Sequence, residues 1–187
     1  MENLINYITS IVKIEQEDLD LVLSKFEVKQ LKKGDLILKR GQTASFYIYL
    51  DSGALRIFND GADKPYTSWC FLPGDFFTEI SSLHHRIPSR FNIEAIEPTE
   101  LFMIDIADME ELYERIPAWQ EFGRKVWERT CISIIDQSIR FQTLSAEAMY
   151  LEFLKLPGFI NKVPVNQLAS ILGITPNALS RIRKNIK

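Results

Sequence analysis

The sequence predicts an α+β fold: a block of short strands set between helical stretches, then a long helix and a small helical unit. Three features predict it. Five of the eight glycines, Gly34, Gly41, Gly53, Gly61 and Gly74, crowd into residues 34–74, the punctuation that short strands need at their turns. Aromatic and β-branched runs lie between and after those glycines. Helical periodicity fills residues 3–26 and almost everything beyond residue 104. At 187 residues, with 46% hydrophobic and 25% charged side chains, the chain is long enough for one or two domains with a real core. That composition excludes a disordered chain and a coiled-coil rod.

Taken in order, residues 3–26 are helical, with Leu19, Val22, Leu23 and Phe26 at helical spacing. Residues 46–50, 54–58 and 66–72 read as strands, and Asn59, Asp60, Gly61, Ala62 and Asp63 as a hairpin tip. Residues 91–96 alternate cleanly, and 101–104 form a short buried strand. Many short strands over residues 30–104 indicate a barrel or sandwich. Asp105 is placed to cap a helix running to Glu114. Pro117 suits the first turn of the next helix, which extends to about Ile139. On it Phe122, Val126, Thr130 and Ile134 step by four, and Ile132, Ile135 and Ile139 occupy an adjoining face. So broad an apolar band predicts two partners, the helix's own domain and a second copy of the chain.

The last 45 residues or so form a separate unit. Ser145 starts a helix that Pro157 and Gly158 stop. Residues 165–172 follow, then Gly173 at a turn, Thr175 as a cap and Pro176 opening a final helix. Helix, glycine turn and capped helix make a helix-turn-helix. Ala169 is small where the two helices approach, and Leu168, Ile171, Leu172, Ile174, Leu179 and Ile182 supply an inner side. Pro176, Asn177, Ser180, Arg181 and Lys184 remain outside, groups suited to base edges and phosphates. Charge agrees. Residues 161–187 carry five basic groups and no acid, residues 140–160 are neutral, and the rest of a chain of net charge −3 is therefore acidic. A small basic end on an acidic body points to an anionic partner, DNA first.

The whole chain resembles the Crp/Fnr-type transcription regulators, the family of the cyclic AMP receptor protein. The resemblance is carried by Gly34, Asp35 and Gly41 in the first strands, by Tyr47 to Gly53, by Leu72, Pro73, Gly74, Asp75, Phe76 and Phe77, and by Leu168 to Thr175 with Leu179, Ser180, Arg181 and Ile182. It implies a β-roll effector domain over 1–116, a dimerisation helix over 117–140 and a DNA-binding head over 141–187. It implies homodimers on double-stranded DNA, with RNA polymerase as a further partner. It places Glu79 at the ribose-binding position, and Gly74, Phe76, Ser89 and Arg90 around an effector. The nucleotide-binding cassette is divergent: the family's Arg-then-Ser order against the cyclic phosphate is reversed here as Ser89-Arg90. Arg90 is then aimed at the opposite face of its strand, so cyclic AMP is not the expected effector; the alternatives are another small anion held by Arg90, Arg86 or His84 and His85, and an empty, purely structural β-roll. The resemblance assigns base reading to Arg181 and phosphate contacts to Asn166 and Gln167. Thr175, Pro176, Asn177, Ser180, Arg183 and Lys184 complete the expected DNA-binding set. Family wing strands would follow the recognition helix, and Lys187 comes directly after it, so a minimal reading head is expected.

Other classes fare worse. Two cysteines, Cys70 and Cys131, cannot build a disulfide framework, an iron–sulfur cluster or a four-ligand zinc site, and no cofactor or metal is expected. No nucleophile–histidine–acid set or phosphate-cradling glycine loop marks an enzyme. No apolar run approaches a membrane span, and residues 1–7 lack a secretory signal, so a cytoplasmic protein without a membrane partner is expected. The alternative reading is a ligand-binding sensor that acts through protein partners with little or no DNA binding.

Overall fold

The computed structural model describes residues 1–61 and 65–186. The elements run α1 (Glu2–Ile11), α2 (Gln16–Ser24), β1 (Glu27–Leu31), β2 (Leu36–Leu38), β3 (Phe46–Ser52), β4 (Leu55–Asn59), β5 (Tyr66–Phe71), β6 (Phe76–Phe77), α3 (Ile80–His85), β7 (Asn92–Ala95), β8 (Thr99–Asp105), α4 (Ile106–Arg115), α5 (Pro117–Thr143), α6 (Ala146–Leu154), α7 (Phe159–Lys162), α8 (Val165–Ile171) and α9 (Pro176–Ile186). The predicted α+β class stands. Of the predicted hairpin tip, Ala62 and Asp63 lie outside the described residues.

Two antiparallel four-stranded sheets, ordered β1-β8-β3-β6 and β2-β7-β4-β5, form the roll. Leu38, Leu55 and Ile93 of one sheet and Ile48, Leu101 and Ile104 of the other share one buried cluster. Residues 47–50 of β3 are buried without alternation, because the strand is sandwiched. One face looks into the roll, and the other meets α1, where Tyr7 lies 5.2 Å from Tyr49. A continuous apolar run is what a doubly covered strand requires.

The helices close the roll at one side. Asp105 caps α4, its carboxylate accepting from the Ala107 N–H at 2.8 Å. Lys25, just past α2, pairs with Asp108 at 2.7 Å and Glu111 at 2.9 Å, tying α2 to α4. Pro117 begins α5 as predicted, and the helix continues to Thr143, beyond the expected 140. Trp119, Phe122, Gly123 and Val126 anchor its first half in the core. Trp119 stacks on Phe122 at 4.3 Å, and Phe122 meets Phe76 of the roll edge-on at 5.5 Å.

Gly123 is required by close approach. A Cβ there would stand 2.3 Å from the Tyr113 hydroxyl and 2.7 Å from its ring carbon. Not only the hydroxyl but the body of the half-buried ring is in the way, with Cε1 at 2.8 Å, and burial pushes the hydroxyl pKa upward. Gly123→Ala should therefore destabilise the protein by about 1–3 kcal/mol through overpacking, despite the helix-propensity gain of about 1 kcal/mol. A lower urea midpoint with an unchanged m-value checks this; an unchanged or higher midpoint contradicts the packing account.

Candidate functional site

Two sites stand out, one on the C-terminal head and one between the roll and α5.

In the head, Leu168, Ala169, Ile171 and Leu179 are buried where α8 meets α9. The turn uses Gly173 at φ +66°, a left-handed angle that glycine adopts without cost. The Ile174 N–H reaches back to the Ala169 carbonyl at 3.0 Å, and the Thr175 hydroxyl caps α9 by accepting from the Ala178 N–H at 3.2 Å. With the inner side fixed by Leu179, the helical period sends Asn177, Ser180, Arg181 and Lys184 outward together. All four are exposed, as are Thr175 and Pro176. No acidic side chain occupies the first turn of α9, so its free N–H groups and dipole present a positive end.

The remaining predicted DNA residues lie elsewhere. Arg183 turns to the inner side, its guanidinium 5.6 Å from the Tyr150 ring centroid, and its Nε is buried with no hydrogen-bond partner among the described residues. Gln167 faces the roll, accepting weakly from the Cys70 thiol at 3.8 Å. Asn166 is exposed at the rim of a crevice that Lys33, Arg56 and Glu94 also line. The cause is that α8 packs against β5. The Ser170 hydroxyl accepts from the Thr67 N–H at 2.9 Å, and Lys162 reaches the Gly53 carbonyl at 3.2 Å and Glu97 at 3.1 Å. Trp69 of β5 meets Phe159 at 5.3 Å and Phe153 at 5.8 Å. The short helix α7 supplies Phe159 and Lys162 to this joint.

The predicted effector residues divide. Gly74 and Phe76 line a cavity of about 450 Å³ between β5, β6 and α5. Glu79 is buried but caps α3, its carboxylate accepting from the Ser82 N–H at 3.1 Å. Ser89 is buried too, with its hydroxyl bonded to the Phe91 N–H at 3.0 Å. Arg90 is exposed in the bend before β7 rather than in a strand, and its carbonyl accepts from the Asn59 side-chain amide at 2.8 Å. His84 and His85 are exposed in the last turn of α3.

Trp69, Phe71, Phe77 and Trp127 wall the cavity, with Arg129, Thr130, Ser133 and Gln137 from α5. Phe71 and Phe77 stack in parallel at 3.6 Å. At the floor Tyr7 is pushed up to about 12 by burial and by the nearby Asp75 charge, so its hydroxyl stays protonated. Sequence reasoning missed the α5 contribution. Its signal was there: Thr130, Ser133 and Gln137 make a polar stripe at spacings of three and four within an apolar stretch. Among the described residues no group of three or more His, Cys, Asp or Glu side chains could hold a metal ion, and no helix is long and apolar enough to cross a membrane.

Residues 28–116 match the family model of the cyclic nucleotide-binding domain. A protein of Rhodopseudomonas palustris described as a potassium channel protein is 26% identical over 101 residues, 54% of this chain and 24% of the relative, so the chain spans about a quarter of it. The solved structure of the c-di-GMP-responsive global regulator CLP of Xanthomonas campestris is 14% identical at a TM-score of 0.70, covering 92% of this chain and 91% of that one. A transcriptional regulator of the crp/fnr family from Eubacterium rectale is also 14% identical, at a TM-score of 0.67 with 92% and 83% covered. The β-roll, long helix and C-terminal helices are thus arranged as in the Crp/Fnr structures.

Burial pushes the Cys70 thiol up to about 12, and the docked head covers it. Iodoacetamide at pH 8 should alkylate Cys70 at least about a hundredfold more slowly in the native protein than after denaturation. Native alkylation at the rate of a free thiol, read by peptide mass spectrometry, would contradict the docked arrangement of α8 on β5.

Proposed function

We propose that the chain is a homodimeric, sequence-specific DNA-binding transcription regulator of the Crp/Fnr type, with no catalytic activity and with a small effector sensed in the roll. The observation that carries this reading is the α8–turn–α9 unit, which bares Asn177, Ser180, Arg181 and Lys184 on one acid-free face. Arg181 is the base reader, because its fork can grip a guanine at two points. Lys184, and Asn166 and Gln167 once α8 leaves β5, position the head through phosphates.

A second copy supplies the symmetry. Ile132, Ile135 and Ile139 are 60%, 58% and 52% exposed, on the side of α5 away from Thr130, Ser133 and Gln137. An apolar row of this kind on a long helix is covered well by its own duplicate. Two recognition helices then enter successive major grooves about 34 Å apart, and the operator is palindromic. The effector is not cyclic AMP, since Glu79 and Ser89 are committed to local caps and turns and Arg90 points outward.

One observation favours the alternative, a sensor acting through protein partners: the docked α8, which holds Gln167 against the roll. Salt separates the two readings, because counterion release makes DNA affinity fall steeply with ionic strength.

On a site selected from random duplexes, Arg181→Ala should lose about 1–3 kcal/mol of affinity, roughly 5- to 150-fold. On unrelated duplexes it should lose several-fold less, as measured by fluorescence anisotropy. Equal losses on both would remove the specificity role. Absence of salt-dependent binding to any duplex would favour the sensor.

A further inference from the structure

We infer that the cavity between β5, β6 and α5 binds a small planar aromatic carboxylate, held at its carboxylate by Arg129, and that Trp69 passes its occupancy to the head. This rests on the reading of the roll as a sensing domain and specifies its ligand class.

The walls set the shape. Trp69, Phe71, Phe77 and Trp127 line a cavity of about 450 Å³, within the range of roughly 300–1,000 Å³ that small-molecule sites occupy. With Phe71 and Phe77 stacked on each other at 3.6 Å and two tryptophans beside them, the lining is aromatic, and an aromatic ring is the partner that such side chains pack with by offset or edge-on contact.

The charge sets the head group. Arg124 and Lys125 are spent on Glu128 and Glu121 within α5. Arg129, one turn on, has no ion-pair partner among the described residues and borders the cavity. Its planar fork suits a carboxylate. Asp75 also borders the cavity, but its carboxylate closes its own turn by accepting from the Leu72 N–H at 2.8 Å. Among the described residues Arg129 is the one cation lining the cavity, beside that acid, which suits one monoanionic group and is poor for a phosphate-rich ligand. Gln137 and Ser133 on the same helix can bond further polar atoms at the rim.

Trp69 supplies the connection. It lines the cavity and at the same time packs on Phe153 and Phe159 of the head. Its neighbour Cys70 touches Gln167 of α8. A ring stacked in the cavity presses on a side chain that belongs to the head's own core, so occupancy and head docking share one residue.

Isothermal titration calorimetry of the full chain with 2-naphthoate tests the ligand class without DNA. The expected dissociation constant is on the order of 100 μM, ordinary for a ligand of about 13 non-hydrogen atoms. The neutral 2-naphthamide should bind about tenfold more weakly, and Arg129→Gln, an exposed helix position, should weaken 2-naphthoate about tenfold, as loss of a charge-assisted pair implies. At about 0.3 mM 2-naphthoate the Cys70 alkylation rate should change severalfold in the wild type and by a clearly smaller factor in Arg129→Gln, in proportion to its lower occupancy. No binding by a folded protein at millimolar 2-naphthoate, equal binding of acid and amide, an unaffected Arg129→Gln, or tighter binding of cyclic AMP would each overturn the ligand class. An unchanged Cys70 rate at saturation would overturn the relay. Failure to bind DNA would sink the regulator reading and leave these results standing.

Discussion

Helix α5 must satisfy two neighbours at once, and the rest of the structure depends on that constraint. Its 27 residues span about 40 Å at 1.5 Å per residue. The first half is a core element, with Trp119 and Phe122 fully buried. The second half leaves the core but stays apolar. On one side it walls the cavity; on the other it carries Ile132, Ile135 and Ile139 into solvent. Gly123 lets Tyr113 sit against the backbone where the buried half is most crowded. A helix fixed at one end and unsatisfied along the other can pass a change in the roll to whatever covers its bare row.

The head is not an independent bead on this rod. It shares a hydrophobic cluster with Ala54, Cys70 and Ile96 of the roll, and its first reading helix lies along β5. Gln167 is thereby committed to the roll, whereas Arg181 and its neighbours on α9 are open. In the proposed regulator, docked and undocked heads are two states, and an effector acts by its differential affinity for them. Trp69 is the residue where that difference is made.

Much of this was legible in the sequence where local rules govern. Asp105, Ser145 and Thr175 cap as their side chains predict, and Gly173 takes the left-handed turn. The strands with strong aromatic or β-branched runs were readable because burial on one or both faces leaves a periodic trace. β1 left none, since only Leu31 of its five residues is buried, and β2 and β6 are too short for a period. The cassette was harder. Glu79 has the position of a ligand-binding acid, but α3, invisible to periodicity at six residues, uses it as a cap. The cavity's Arg129 is placed by tertiary packing of α5 on α1 and α4, which no local pattern encodes. Arg183 reads as a surface cation by composition, yet the helical period places it beside Leu179 and over Tyr150.

In the proposed regulator a second copy of the chain covers the bare row of α5. Sedimentation equilibrium measures this directly, at roughly 10 μM and below because a homodimer's stability depends on protomer concentration. The wild type should sediment at twice its 21.7 kDa chain mass, and Ile135→Asp should sediment at the single-chain mass with an unchanged circular dichroism spectrum. A wild type that stays at the single-chain mass throughout that range would contradict the account.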